Sequence, residues 1–320
     1  VERLAVLELS EFNLYKVEQE LRIEFPDLVI DPILGDCGDA ATLERVFSRV
    51  RPEAVFHAAA FKHVPLLQHQ VREAVRNNLL ATQTLALAAD RHGVNNFVLI
   101  STDKAVNPSS VMGATKRAAE IFCQSFAQQS KTHFITVRFG NVLDSAGSVV
   151  PLFRDQIRRG GPVTVTHPEI SRYFMTIPEA CQLILQAAVL GRGGEIFALD
   201  MGAPVRIRYL AEQMILLAGK VPERDIQIVY TGLRAGEKLF EELFHEQENH
   251  ESTGHPKIFL SQPRLVAFVE LTLIMRTLDA AVRRFDEGEA LRLLQSLVPE
   301  FDQSRTDRDA DIVSIHKAVS

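Results

Sequence analysis

The chain has 320 residues, with 35 Lys plus Arg against 41 Asp plus Glu and a formal net charge of −6. With no local basic run to reverse it, that balance excludes a nucleic-acid binder that relies on counterion release. Apolar residues make up 46% and charged residues 24%, an ordinary globular mixture, and the length suits one large domain or two smaller ones. The longest candidate membrane span, residues 265–275, is short and carries Glu270, so nothing reads as crossing a bilayer. Cys37, Cys123 and Cys181 are far apart and match no metal spacing; they read as reduced cytosolic thiols, and no metal is expected. The chain begins with Val, and no signal peptide precedes Leu4.

Short apolar, β-branched runs at 4–7, 28–34, 54–58, 97–100, 134–138 and 196–199 read as buried strands. Amphipathic helical patterns lie at 12–23, 41–50, 73–92, 112–129 and 177–190. Alternating β and α with short connections predicts an α/β fold with a doubly wound parallel sheet. From Gly202 onward the pattern loosens. A helix is expected over 207–217, a strand over 226–230, and further helices over 238–244 and 269–285. Residues 302–311 are polar and charge-dense, so 302–320 is expected to be a flexible tail. No internal repeat appears.

Ligands of open parallel sheets sit at the carboxyl ends of the strands, so chemistry is sought there. Glu8 ends the first strand; its carboxylate suits the two hydroxyls of an adenosine ribose, or equally a helix cap. Asp36 ends the second and suits an adenine contact, with the same alternative. The third ends in His57-Ala58-Ala59-Ala60-Phe61-Lys62-His63-Val64-Pro65, where the small alanines let a flat cofactor approach the backbone and Lys62 overhangs the cleft. Neither His57 nor His63 gains a role from position alone. The strongest segment is Ser101-Thr102-Asp103-Lys104-Ala105-Val106-Asn107-Pro108, followed by Val111-Met112-Gly113-Ala114-Thr115-Lys116. It leaves a buried strand at the sheet's carboxyl edge. Its adjacent Asp and Lys offer an acid and a base whose pKa values the surroundings can push apart, and Met112 and Lys116 share a helix face.

These segments, with Arg76-Asn77-Asn78, Arg138-Phe139-Gly140-Asn141-Val142, Arg172-Tyr173-Phe174-Met175-Thr176 and Thr231-Gly232-Leu233-Arg234-Ala235-Gly236-Glu237-Lys238, resemble the extended short-chain dehydrogenase/reductase superfamily. More closely they resemble its nucleotide-sugar 4,6-dehydratases of capsule and O-antigen polysaccharide biosynthesis, in the family's order and over nearly the whole chain. Met112 stands where the superfamily has its catalytic tyrosine, as in the long, membrane-anchored branch of these enzymes. Ala235 replaces a usual proline and Gln68 a common glutamate. The family's opening strand and Gly-rich phosphate turn have no counterpart, so the chain is expected to start at the family's second strand.

The resemblance implies a Rossmann-like NAD-binding domain over 1–141 plus about 175–200, incomplete at its N-terminus. A smaller mixed α/β region over 142–174 and 201–301 would bind a UDP-sugar. The implied reaction is an internal redox cycle on UDP-N-acetylglucosamine: a hydride passes from C4 to NAD, water is lost across C5 and C6, and the hydride returns to C6. Asp103 is the implied acid at the C6 hydroxyl, Lys104 the base at C5, and Thr102 a hydrogen-bond partner of the C4 oxygen. Lys116 would hold the nicotinamide ribose, with Asn78 and residues 58–60 also on the cofactor side. Asp103 or a water relay would take the C4 hydroxyl proton in place of the tyrosine. Arg172 and Arg234 would bind the pyrophosphate, with Lys62, Asn141 and Glu237 on the rest of the substrate. Two other readings stand beside this one: a nucleotide-sugar 4-epimerase on the same fold, and a non-catalytic UDP-sugar-binding remnant. The resemblance also implies a parent tethered to the cytoplasmic membrane face through an upstream segment, and it leaves room for a homo-oligomer. Without the first strand, the flanking strands 4–7 and 54–58 should face each other across a one-strand gap or close on each other, leaving residues 1–320 unstable alone and weak in NAD binding.

Overall fold

A computed structural model describes residues 1–244, 250–261 and 265–304; of the expected tail, residues 305–320 lie outside the described part. In chain order the strands are β1 (Arg3–Glu8), β2 (Val29–Leu34), β3 (Ala54–His57), β4 (Asn96–Ile100), β5 (His133–Arg138), β6 (Asn141–Val142), β7 (Val163–Val165), β8 (Ser171–Arg172), β9 (Phe174–Met175), β10 (Ile196–Leu199), β11 (Val205–Arg206), β12 (Ile228–Tyr230), β13 (His250–Ser252) and β14 (Ile258–Ser261). The helices are α1 (Glu11–Glu24), α2 (Ala40–Val50), α3 (Val64–Leu67), α4 (Val71–Ala74), α5 (Ala81–Arg91), α6 (Val111–Ala127), α7 (Val149–Arg158), α8 (Ile177–Leu190), α9 (Ile207–Leu217), α10 (Phe268–Arg283) and α11 (Glu287–Leu297).

The main sheet runs β13-β14-β10-β5-β4-β3, parallel from β10 to β3. The expected α/β class therefore holds, with one addition: β14 pairs antiparallel with β10 and β13 antiparallel with β14. In β4, Phe97 and Leu99 enter the core under α6, α10 and α11, while Val98 enters the core under α8. Both faces are covered, so the strand reads as one apolar run rather than an alternating one. A third cluster, around Phe153, Val163, Ile207 and Ile228, forms the smaller unit beside the sheet's carboxyl edge.

β1 and β2 form a separate two-stranded parallel sheet, and β1 and β3 do not pair. Of the two outcomes expected for these strands, the unclosed one is observed. β1 is half-buried along most of its length, and Val29, Leu34 and Phe56 are exposed. The cost thus falls on apolar side chains left in contact with water.

Two expected elements need correction. The helix expected over 73–92 begins at Val71 and is broken by a π-helical segment, Val75–Leu80, that carries Asn78. Residues 238–244 form irregular backbone with bends rather than a helix, because Lys238 and Glu241 point inward to polar partners instead of sharing a solvent face. Helices α7 and α11 were not anticipated. No helix among the described residues is long and apolar enough to cross a membrane.

Candidate functional site

The strand-to-helix corner after β4 is built by local hydrogen bonds. Thr102 caps a 3-10 turn, Asp103–Ala105, its Oγ1 accepting from the Lys104 amide at 3.3 Å. Ser110 then caps α6 by accepting from the Gly113 amide at 3.1 Å. Beneath this corner, Glu120 of α6 is fully buried. It accepts from Ser101 Oγ at 2.6 Å, from Arg138 Nε and Nη2 at 2.9 and 2.7 Å, and from Arg117 Nη1 at 3.1 Å. Burial alone would raise the Glu120 pKa, but the two arginines and Ser101 hold it down at about 2.

A cavity of about 560 Å³ opens above this corner, at the carboxyl ends of β3, β4 and β5. Its walls bring together Ala58, Ala60 and Lys62 after β3; Thr102 and Lys104 after β4; and Met112 and Lys116 on α6. Asn141, Arg172, Arg234, Glu237 and Glu241 close the side of the smaller unit. The two helix residues expected on one face, Met112 and Lys116, do share it. Asp103 is absent from the wall: it is fully buried, with Oδ1 accepting from Thr102 Oγ1 and Lys104 Nζ, each at 2.9 Å. Burial pushes its carboxyl above the usual range, and neighbouring Glu241 adds to the rise, against the pull of Lys104.

Lys104 Nζ also donates to Asn141 Oδ1 at 3.3 Å and lies 3.4 Å from Glu241 Oε1. Burial weakens its ammonium form, yet Asp103 and Glu241 outweigh both that and the repulsion of Arg172, so Lys104 titrates above an ordinary lysine. Lys116 behaves oppositely. Burial pulls it down to about 8 despite Glu120, and its Nζ donates to the Ile100 carbonyl at 2.7 Å.

Several expected binding residues already have protein partners. Asn78 is fully buried and exchanges hydrogen bonds with the backbone N and O of Phe61 at 2.8 and 3.0 Å, so it latches the loop after β3 instead of facing the cavity. Arg172 is buried and donates to the carbonyls of Ser171, Lys238 and Leu239. Arg234 is largely exposed and forked onto Glu237, Nη2 to Oε1 at 3.0 Å. Lys62 donates to the Ala146 carbonyl at 2.6 Å. Glu8 and Asp36 lie at their strand ends outside the cavity wall, and both make local turns, to the amides of Ser10 and Gly38. Ala59 is exposed and also off the wall. His57, for which position suggested no role, is buried and pushed down to about 3 by burial, with Thr82 Oγ1 at 2.8 Å from its Nε2.

Two features escaped the sequence reading. Glu120 belongs to a helix interior whose polar face gives no hint of a buried ion cluster. Glu241 sits in a carboxylate-rich stretch that read as a helix, and only the observed irregular backbone aims it at Lys104. Among the described residues no cluster of His, Cys, Asp and Glu could hold a metal ion.

Comparison with known proteins places this architecture in context. A family model described as "Polysaccharide biosynthesis protein" matches residues 1–263. The chain is 48% identical over 299 residues to the capsular polysaccharide biosynthesis protein CapD of Staphylococcus aureus, covering 91% of this chain and 48% of that protein. It is 47% identical over 268 residues to the probable polysaccharide biosynthesis protein EpsC of Bacillus subtilis, covering 82% and 45%. The chain thus spans about half the length of these curated relatives. A UDP-glucose 4-epimerase of Rickettsia canadensis is 33% identical over 73% of this chain and 67% of its own. Among solved structures, Pen from Bacillus thuringiensis superposes with a TM-score of 0.74 at 32% identity, over 83% of this chain and 82% of that one.

Proposed function

Because the chain belongs to the polysaccharide biosynthesis protein family, we propose that it dehydrates a UDP-N-acetylhexosamine, UDP-N-acetylglucosamine first among them, to the 4-keto-6-deoxy sugar with NAD as cofactor. The observation that carries this reading is the single cavity wall holding Thr102, Lys104, Met112 and Lys116, with Asp103 hydrogen-bonded directly behind it.

The residues present fit the nicotinamide end of NAD. Ala58 and Ala60 leave the wall flat, and Lys116 is the cation beside it. Glu8 and Asp36 are the carboxylates available to the adenosine end. NAD bound there would supply a hydride acceptor and donor; the remaining roles fall to the side chains. Thr102 Oγ1, which donates its proton to Asp103 Oδ1, accepts from the C4 hydroxyl of the sugar. Its hydroxyl also connects the cavity to Asp103, so a proton taken from the C4 hydroxyl can reach that carboxyl without a phenol at position 112. The departing water needs one proton and the C4 hydroxyl loses one, so Asp103 takes that proton as a carboxylate, holds it because burial raises its pKa, and returns it to the departing hydroxyl. Lys104 serves as base at C5 once it has lost its own proton, and Lys116 adds positive charge near the C4 oxygen. Arg172 and Arg234 border the same cavity and serve the pyrophosphate.

Incubation with UDP-N-acetylglucosamine and NAD, followed by product mass spectrometry, tests the reading: loss of about 18 mass units, one water, is expected on this elimination mechanism. The epimerase relatives support a second reading, epimerisation at C4. A product of unchanged mass with inverted C4 would establish it and overturn the dehydratase.

A further inference from the structure

The carboxyl group that faces the cavity beside Lys104 is not the one adjacent to it in sequence. Asp103 does not line the cavity: its Oδ2 has no hydrogen-bond partner and lies behind the wall residue Gly140, where a Cβ would stand 3.0 Å from it. Glu241 lies on the wall with a side chain only 3% exposed. Its Oε1 is 3.4 Å from Lys104 Nζ and 3.6 Å from Arg172 Nε, while its buried Oε2 has no hydrogen-bond partner. A buried carboxylate oxygen with nothing to accept from is costly unless a ligand supplies the donor.

We propose that Glu241 is a positioning residue of this site: it holds Lys104 as an ammonium ion in the ligand-free protein, and its free Oε2 accepts a hydrogen bond from a hydroxyl or amide N–H of the sugar. The inference rests on the dehydratase reading for the sugar and for the use Lys104 makes of its proton, but not for the ion pair itself. The charged groups around Lys104 come from three segments. Asp103 precedes it in the turn after β4; Arg172 comes from β8; and Glu241 comes from the loop after β12, with Glu237 3.6 Å from Arg172 and Lys238 also acting on Glu241. These cations hold Glu241 ionised in spite of its burial, and the two carboxylates hold Lys104 charged. A base must be neutral before it can act. A sugar donor on Oε2 spreads the charge of Glu241 over a second hydrogen bond and weakens its hold on Lys104. In the ligand-free protein the Lys104 side chain has 22% of its surface exposed, so the proton has a route to water as the site fills. Filling the site thereby prepares the base.

Competitive labelling of lysines with trace acetic anhydride across pH, read at the Lys104 peptide by mass spectrometry, measures the ion pair without turnover. Glu241→Gln should lower the apparent pKa of Lys104 by at least about one unit, hence about tenfold more label on the rising limb. Glu241→Asp should keep most of the parental curve, and Glu242→Gln, which loses the partner of Lys238, should leave it unchanged. An identical Lys104 curve in a folded Glu241→Gln protein overturns the proposal. If that variant does not fold, the wild-type protein labelled with 13C at glutamate carboxyls decides: the Glu241 signal must shift with the Lys104 titration, and a flat signal overturns the proposal. Adding UDP-N-acetylglucosamine should lower the Lys104 pKa in the wild type and not in Glu241→Gln; an equal response in both removes the ligand role of Oε2. The ligand-free curves stand or fall whatever the mass spectrum shows, so failure of the ion pair and failure of the dehydratase reading are distinguishable.

Discussion

Helix α6 meets the Lys104 backbone with no room for a side chain: a Cβ on Gly113 would stand 2.2 Å from the Lys104 carbonyl oxygen. The glycine is therefore a condition for the corner that carries Thr102, Asp103 and Lys104. Alanine is the better helix former by about 1 kcal/mol, but here it must push the turn off the helix. Gly113→Ala should cost about 1–3 kcal/mol in denaturant unfolding and lower turnover by more than the unfolded fraction explains. A variant as stable and as active as the parent would refute the close approach.

Glu120 ties the floor of the site to the core, and its titration gives a pH signature. Its folded pKa of about 2 lies below the ordinary 4.5, so the stability it contributes is complete above pH 4.5 and is lost as pH falls from there toward 2. Glu120→Gln leaves the guanidinium groups of Arg138 and Arg117 short of a buried counter-charge, and should cost about 3–5 kcal/mol at neutral pH. It should also flatten the acid loss between pH 4.5 and 2. Unfolding curves taken across that range check both, and an unchanged acid slope would remove Glu120 as its source.

Lys104→Ala addresses the base. In a protein active with UDP-N-acetylglucosamine and NAD, the variant should stop exchange of the C5 proton with deuterated solvent. The transition state should lose about 3–5 kcal/mol. Exchange at the parental rate would take Lys104 out of that role.

Met112 is 4% exposed and borders the cavity. A thioether carries no proton and contributes packing, so Met112→Ala should cost about 2–5 kcal/mol of stability while keeping turnover within about tenfold. A collapse of turnover in a folded variant that still binds NAD would show that Met112 does more than fill space.

The strands β4, β5 and β10 were legible because both faces are covered and the sequence shows it as unbroken apolar runs. The corner from Ser101 to Lys116 was legible because the chain places acid, base and helix cap consecutively. The helix expected over 238–244 failed for the opposite reason. Periodicity assumes that a helix buries its apolar side, whereas Lys238 reaches the Val106 carbonyl and Glu241 reaches Lys104, contacts made to segments more than a hundred residues away. A shorter-range pairing, 17 residues apart, hides Asn78, which the resemblance places on the cofactor and the fold spends on Phe61. Local pattern carries no record of such partners.

The last prediction concerns β1 and β3. Each has one partner strand, β2 and β4, and neither pairs with the other. The unit Arg3–Leu34 buries few side chains, Leu14, Ile30 and Ile33, and exposes Phe12, Tyr15 and Ile23 on α1. Regions with few buried apolar contacts open at low free energy. In residues 1–320 studied alone, the amides of β1 and β2 should therefore exchange with deuterated water well before those of β4 and β5, whose neighbours lie on both sides. The same opening separates Glu8 and Asp36 from the cavity wall, so NAD should bind weakly. A parallel strand seated between β1 and β3 would satisfy both edges and cover Phe56. Extending the chain upstream by a segment able to form that strand should slow exchange in β1 and strengthen NAD binding together. Calorimetry and hydrogen exchange on the two proteins decide it: micromolar NAD binding by residues 1–320, with β1 protected as well as β5, would sink the argument.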